Sequence, residues 1–142
     1  MNNIYLGVYW IFVRENQILL IKKARWPYKG MYDLPWGGIE FGEHILDGLR
    51  REIMEETSGV LLSSIFIGNN EYICEYLSNS TQQMKKFHHI GIYYAVDISC
   101  DYIKTTPDGQ DSLGAEFIDI NILESVPLSP IAAPMIKKAL SL

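Results

Sequence analysis

Hydrophobic and polar positions fall into two periods along this chain. The run IYLGVYWIFV at 4–13 is rich in β-branched and aromatic residues, which suit a pleated surface, and it predicts a strand. ENQ at 15–17 supplies a turn, and ILLIKKA at 18–24 is the expected returning strand. The stretch RWPYKGMYDLPWGGIEFGE at 25–43 carries two prolines and four glycines, which predicts a structured loop with short extended pieces. A connection of that length is usually functional. From His44 to about Ser58 the period becomes helical. Ile45, Leu46, Leu49 and Ile53 share about 100° of arc and form a stripe for the core.

The second half returns to extended patterns. Residues 63–77 and 88–98 are expected as strands around a polar loop at 78–86, and 101–115 as a loop. EFIDINIL at 116–123 predicts a short strand running into a turn. After Pro127 and Pro130, a last helix is expected, kinked or begun at Pro134. Strands, helix, strands, helix is the order of a single α/β domain over 1–142, with a mixed sheet between helices.

Composition narrows the function classes. A chain of 142 residues with 48% hydrophobic and 20% charged positions is an ordinary globular one. Its formal charge of -5, with no compensating basic run, argues against nucleic acid as the main partner. The N-terminal apolar run is too short to cross a bilayer and lacks the basic start and cleavage site of a secretory signal. A cytoplasmic protein with no membrane partner is expected. Cys74 and Cys100 fit buried thiols in a reducing compartment better than a disulfide framework, with a single bridge left open.

The helix then poses a problem. Glu52, Glu55 and Glu56 occupy an arc beside the apolar stripe. Like charges three and four residues apart each destabilise a helix by a few tenths of a kcal/mol. They also sit near its C-terminal end, where the macrodipole disfavours anions. Three carboxylates beside a glycine-rich loop make an oxygen-rich site, and a divalent cation would turn their repulsion into affinity. Gly48 lies on the same arc one turn earlier. Its missing side chain leaves room for ligand phosphates or allows close helix packing, and the pattern does not separate the two.

The spacing around these acids resembles a known signature. Gly37, five residues, Glu43, seven residues, then Arg51-Glu52-Ile53-Met54-Glu55-Glu56 is similar to the Nudix hydrolase pattern G-x5-E-x7-R-E-U-x-E-E-x-G-U, over about 37–59. All five charged positions of the pattern are filled. Two positions depart from it. Trp36 stands where the family has the first glycine of Pro-Gly-Gly, and the glycine after the acid pair falls on Ser58, with Gly59 one residue late.

The resemblance implies an α/β/α sandwich and Mg²⁺-dependent hydrolysis within the diphosphate of a nucleoside diphosphate derivative, with Mn²⁺ able to substitute. It implies Glu52 and Glu56 as chief metal ligands, with Glu55 helping and the Trp36 carbonyl as a backbone ligand. It also implies Arg51 as an orienting group, which by spacing would hold Glu55, and Glu43 as support. An acid from a late loop often completes such sites, and Asp111 matches best, with Glu116 second. Gly37 and Gly38 would line the phosphate side, Arg25 and Lys29 would meet phosphates, and Trp26, Tyr28 and Tyr32 would stack on a base or cover the core edge. Adjacent His88 and His89 point to opposite faces of a strand, so they are expected to be structural. A nucleoside triphosphate, ADP-ribose, a sugar nucleotide and a dinucleoside polyphosphate all remain open as substrates. A homodimer also remains open. The rivals are a non-catalytic nucleotide sensor on the same fold and, less well supported, a diphosphate isomerase, for which neither cysteine has a matched setting.

Overall fold

A computed structural model describes residues 2–25, 28–78, 80–100 and 112–141. Its elements are β1 (Asn2–Ile11), β2 (Val13–Arg14), β3 (Gln17–Lys23), β4 (Tyr32–Asp33), β5 (Trp36–Gly38), α1 (Ile45–Thr57), β6 (Val60–Leu77), β7 (Met84–Ser99), β8 (Ser112–Asp119), a 3₁₀ turn (Ile120–Ser125) and α2 (Ala133–Leu140). The expected single sheet is two. A mixed sheet runs β5-β1-β7-β6, with β1 and β7 parallel and the other pairs antiparallel. In the antiparallel second sheet β8 pairs along β3, while the short β2 and β4 share the opposite edge. The chain changes sheet at Phe12, so one apolar run serves both. It then reverses at Glu15 and Asn16, both with positive φ (52° and 62°). Two such residues between paired Arg14 and Gln17 make a tight hairpin whose twist matches the strands.

The two-residue period of β1 divides its side chains between two cores. Tyr9 and Ile11 join Ile18, Leu20, Tyr93 and Met135 on the α2 side. Val8, Trp10 and Phe12 join Leu19, Leu49 and Ile53 on the α1 side. The layers are therefore helix, sheets, helix, as expected. Burial on both faces explains why 8–12 shows no polar alternation. Of the expected α1 stripe only Leu49 and Ile53 are buried; Ile45 and Leu46, in the first turn, are exposed.

The long loop is held from an unexpected direction. The Tyr32 amide donates to the Pro127 carbonyl (2.8 Å), and the Ser129 amide donates back to the Tyr32 carbonyl (2.8 Å). Asp33 Oδ1 accepts from the Leu34 amide (2.8 Å) and the Ser129 hydroxyl (3.0 Å). The segment before α2 thus clamps β4, which precedes the glycines. Among the described residues no helix is long and apolar enough to cross a membrane. Both thiols are free and half-buried rather than buried.

Candidate active site

α1 lacks a capping side chain at His44, and its last turn contains no basic residue. Local rules therefore leave its acid-rich C-terminal half unsupported. The support comes from Arg51. Its guanidinium donates twice to the Glu43 carboxylate, at 2.8 and 2.9 Å, and once to Glu52 Oε1 at 2.8 Å. It also donates to the Gly38 carbonyl at 3.0 Å. Glu43 Oε1 in turn accepts from the Glu40 amide at 3.1 Å. One planar cation thus fastens the loop to the helix by bidentate, charge-assisted bonds. Helical spacing puts Glu55 within its reach, and Glu55 Oε1 does accept from it, but as a distant third at 3.5 Å. A rigid fork is satisfied by the loop carboxylate and by Glu52, whereas Glu55 is more than half exposed to water.

The charges respond accordingly. The hydrogen bond from Arg51, backed by the Glu40 amide, holds the Glu43 carboxyl at about 2, well below the usual range. Arg51 is pushed up, chiefly by Glu43. Glu52 moves the other way: burial raises it, Arg51 opposes, and the like charges of Glu55 and Glu56 raise it further. Glu52 is therefore a carboxylate that would gain from a nearby cation.

The glycines have specific duties. A Cβ at Gly37 would lie 1.9 Å from the Glu52 carboxyl carbon, so the carboxylate rests directly on that backbone. Gly38 faces open space and contributes its carbonyl to Arg51. A Cβ at Gly48 would meet Ile39 Cδ1 at 2.8 Å and Glu43 Oε1 at 2.9 Å. Of the two expectations for Gly48, close packing of the loop on α1 is the one its surroundings match. Ser58 itself adopts the left-handed conformation that ends α1 (φ 57°), with its amide bonded to the Met54 carbonyl at 2.8 Å. Gly59 is needed for another reason, because a Cβ there would come within 2.6 Å of the Ser99 carbonyl.

Trp36 is accommodated by a second glycine. Its ring lies over Gly7, where a Cβ would approach Cε3 to 2.8 Å, and stacks on Tyr9 at 5.7 Å between centroids. The Lys23 ammonium stands 5.4 Å from the indole centroid. Tyr28 is buried against His89 in the core, not displayed as a stacking platform. Tyr32 donates to Glu116 at 3.0 Å. Arg25 is exposed, and Trp26 and Asp111 lie outside the described residues. His88 bonds Glu71 on one sheet face, while His89 is buried on the other, hydrogen-bonded to the Tyr9 hydroxyl with the Tyr28 hydroxyl 3.4 Å from Nδ1. Burial, and after it the Lys23 charge, lowers His89 to about 4.

Buried Lys23 and Asp33, which the sequence reading passed over, join this polar interior. The strand register slips between Ile21 and Lys23, which turns the second lysine of ILLIKK inward. Nothing in the residue pattern signals that bulge. Among the described residues no three His, Cys, Asp or Glu side chains converge at metal-ligand separation. The donor chemistry still suits a hard cation: carboxylate and carbonyl oxygens, with the ionised Glu52 already disfavoured by burial and by its acidic neighbours.

The model of the NUDIX domain matches residues 1–139. The chain belongs to the Nudix family. This Nudix domain is 33% identical over 113 residues to an ADP-ribose pyrophosphatase of Methanocaldococcus jannaschii, covering 80% of the chain and 60% of that protein. It is 28% identical to a putative nudix hydrolase 1 of Caenorhabditis elegans, over 78% of the chain and 27% of the relative. The chain thus spans about 60% of the length of the first and about a quarter of the second. Its fold is shared with a MutT NUDIX hydrolase from Burkholderia pseudomallei (TM-score 0.67, 18% identity, 96% and 98% of the two chains). It is shared too with the NUDIX domain of Shewanella oneidensis NrtR, solved with ADP ribose (TM-score 0.60, 14% identity, 98% and 88%).

Proposed function

We propose that this Nudix domain is a Mg²⁺-dependent pyrophosphohydrolase that cleaves the diphosphate linkage of a nucleoside diphosphate derivative, with ADP-ribose the first candidate. The observation that carries this reading is the Arg51 hub, which seats the Glu52 carboxylate on Gly37 and presents the acidic face of α1 to the glycine loop. Spending one arginine on two carboxylates and a loop carbonyl would be excessive for a surface helix. It suits a site that must keep carboxylates ionised and aligned.

Glu52 and Glu56 would hold the ion, with Glu55 and the Trp36 carbonyl assisting. Glu55 and Glu56 are exposed, so their rotamers adjust readily to a ligand. When bound, a divalent ion of this kind acidifies water and neutralises charge on phosphate oxygens. The chain's own residues supply the rest. Arg51 and Glu43 fix the loop, Gly37 allows Glu52 its position, and the exposed Arg25 and Lys29 offer charge to phosphates. Asp111 is our candidate for the acid that takes the proton from the attacking water, with Glu116 next. Similarity to the archaeal ADP-ribose pyrophosphatase supports the substrate class. The free thiols are compatible with a reducing, cytoplasmic setting.

The test is a panel of ADP-ribose, sugar nucleotides, nucleoside triphosphates and dinucleoside polyphosphates with Mg²⁺ or Mn²⁺, following released nucleoside monophosphate or phosphate. Glu56→Gln is expected to lower turnover at least about 100-fold, the scale for disabling a metal-site group. A fully active variant would remove Glu56 from the site. Tight binding without turnover on any compound would favour a sensor.

A further inference from the structure

Aromatic side chains gather at one end of the mixed sheet, on its α2 side. The Phe87 ring is flanked by Tyr5 (4.8 Å between centroids), His89 (5.4 Å), Tyr76 (6.0 Å) and Tyr28 (6.5 Å), and Tyr72 lies 6.1 Å from Tyr28. The register builds this cluster across β1, β7 and β6: Tyr5 lies beside His89 and His89 beside Tyr72, with Phe87 two residues before His89 on the same face. Phe87, Tyr28 and His89 are buried and form a floor. Tyr5 and Tyr72 stand above it, 44% and 38% exposed, and Tyr76 is half-buried. The acids of these rows on β6, Glu71 and Glu75, alternate to the opposite face, and Lys85, beside Tyr76, stands at the far rim. The result is a basin of π faces, rimmed by tyrosine hydroxyls, that the acids of its own strands avoid.

The basin adjoins the candidate site through Trp36. His89 meets the Trp36 ring edge to face at 5.9 Å. Trp36 directly precedes Gly37, on whose backbone the Glu52 carboxylate rests. β5 is a three-residue edge strand with the indole on its α2 side and Glu52 on its α1 side. A ligand that passes round this edge therefore meets both.

We infer that the basin takes the base of a nucleotide whose phosphates lie at the acidic face of α1. The inference rests on the function proposed above and narrows it to substrates with a nucleobase at one end. Stacking selects that class, because every base has a π face to lay on an aromatic side chain, whereas a hexose or a bare polyphosphate has none. Tyrosine suits the rim, since its ring stacks while its hydroxyl reaches the polar edge of a base. The two halves of the ligand then match two unlike surfaces: charged groups at the carboxylates through a cation, and a neutral ring among neutral rings.

Titration calorimetry of the full chain with Mg²⁺ tests it, using AMP, GMP, CMP and UMP against ribose 5-phosphate, which keeps the sugar and phosphate and lacks the base. At least one nucleotide is expected to bind about 10-fold or more tighter than ribose 5-phosphate. Tyr5→Leu and Tyr72→Leu should each weaken that nucleotide at least about 10-fold and leave ribose 5-phosphate unchanged, while Tyr72→Phe, which keeps the ring, should retain the affinity. Should a leucine variant melt below the wild type, the near-ultraviolet absorbance of the base on binding to the wild type decides, because stacking lowers it. A wild type that holds ribose 5-phosphate as tightly as every nucleotide overturns the inference. So do leucine variants that weaken both kinds of ligand equally or neither, or an unchanged base absorbance. Any of these would leave turnover on the substrate panel, and with it the proposed hydrolase, untouched. Base-dependent binding without turnover on any compound would instead uphold the basin and remove the hydrolase.

Discussion

His89 provides the most quantitative consequence of the fold. Its imidazole is 3% exposed, lies among Tyr9, Tyr28, Trp36 and Phe87, and is held at about 4 by burial and by the Lys23 charge. In the unfolded chain it would titrate near 6.5. The folded value is lower, so the unfolded state binds the proton first and stability falls as pH drops through 6.5 towards 4. At 1.36 kcal/mol per pKa unit the full loss is about 3 kcal/mol, of which about 2 kcal/mol is gone by pH 5. That is a large part of the 5–15 kcal/mol typical of a domain. Glu52 acts in the opposite sense, since a raised carboxyl favours the folded state as pH falls. Glu43, held at about 2, loses its contribution only between the ordinary carboxyl range and that value. The window from 6.5 to 4.5 is therefore dominated by His89 among these groups. Urea unfolding at pH 7.5, 6, 5 and 4.5 should show a steep loss in the native chain. In His89→Gln, which keeps hydrogen-bonding capacity towards Tyr9 and Tyr28 without a charge, the slope should be nearly flat. Equal slopes in the two proteins would refute the assignment.

Other outcomes follow from the same geometry. Arg51→Lys keeps the charge but not the fork that spans Glu43, Glu52 and the Gly38 carbonyl, so kcat/KM should fall at least about 10-fold with the fold intact, checked by steady-state kinetics and melting. Gly37→Ala would place a methyl on the Glu52 carboxyl group, and turnover should drop on the order of 100-fold while the far-ultraviolet spectrum is unchanged. Ser58→Gly should stabilise the protein by about 0.5–1 kcal/mol in denaturant titrations. It relieves the left-handed strain at the end of α1, less the added entropy of the unfolded chain.

The parts that were legible in the sequence share a physical character: they depend on neighbours along the chain. The period of α1, the turn at Glu15–Asn16 and the order of the acids are local patterns, and they were found where expected. What escaped depends on distant partners. Arg51 prefers Glu43 across eight residues over Glu55 at helical spacing, because a loop fold brings a better-aligned carboxylate. Tyr28 is drawn into the core by His89, 61 residues away. The division into two sheets turns on Phe12, where nothing in an unbroken apolar run marks a change of partner. Lys23 is buried by a slip in register with β8, which a single strand cannot reveal.

The clamp between Tyr32–Asp33 and Pro127–Ser129 ties the glycine loop to the segment that leads into α2. Loop and tail should therefore melt, exchange amide hydrogens and resist proteases together. A cut near Pro130 would then slacken the candidate site, although nothing close to the acids had been touched.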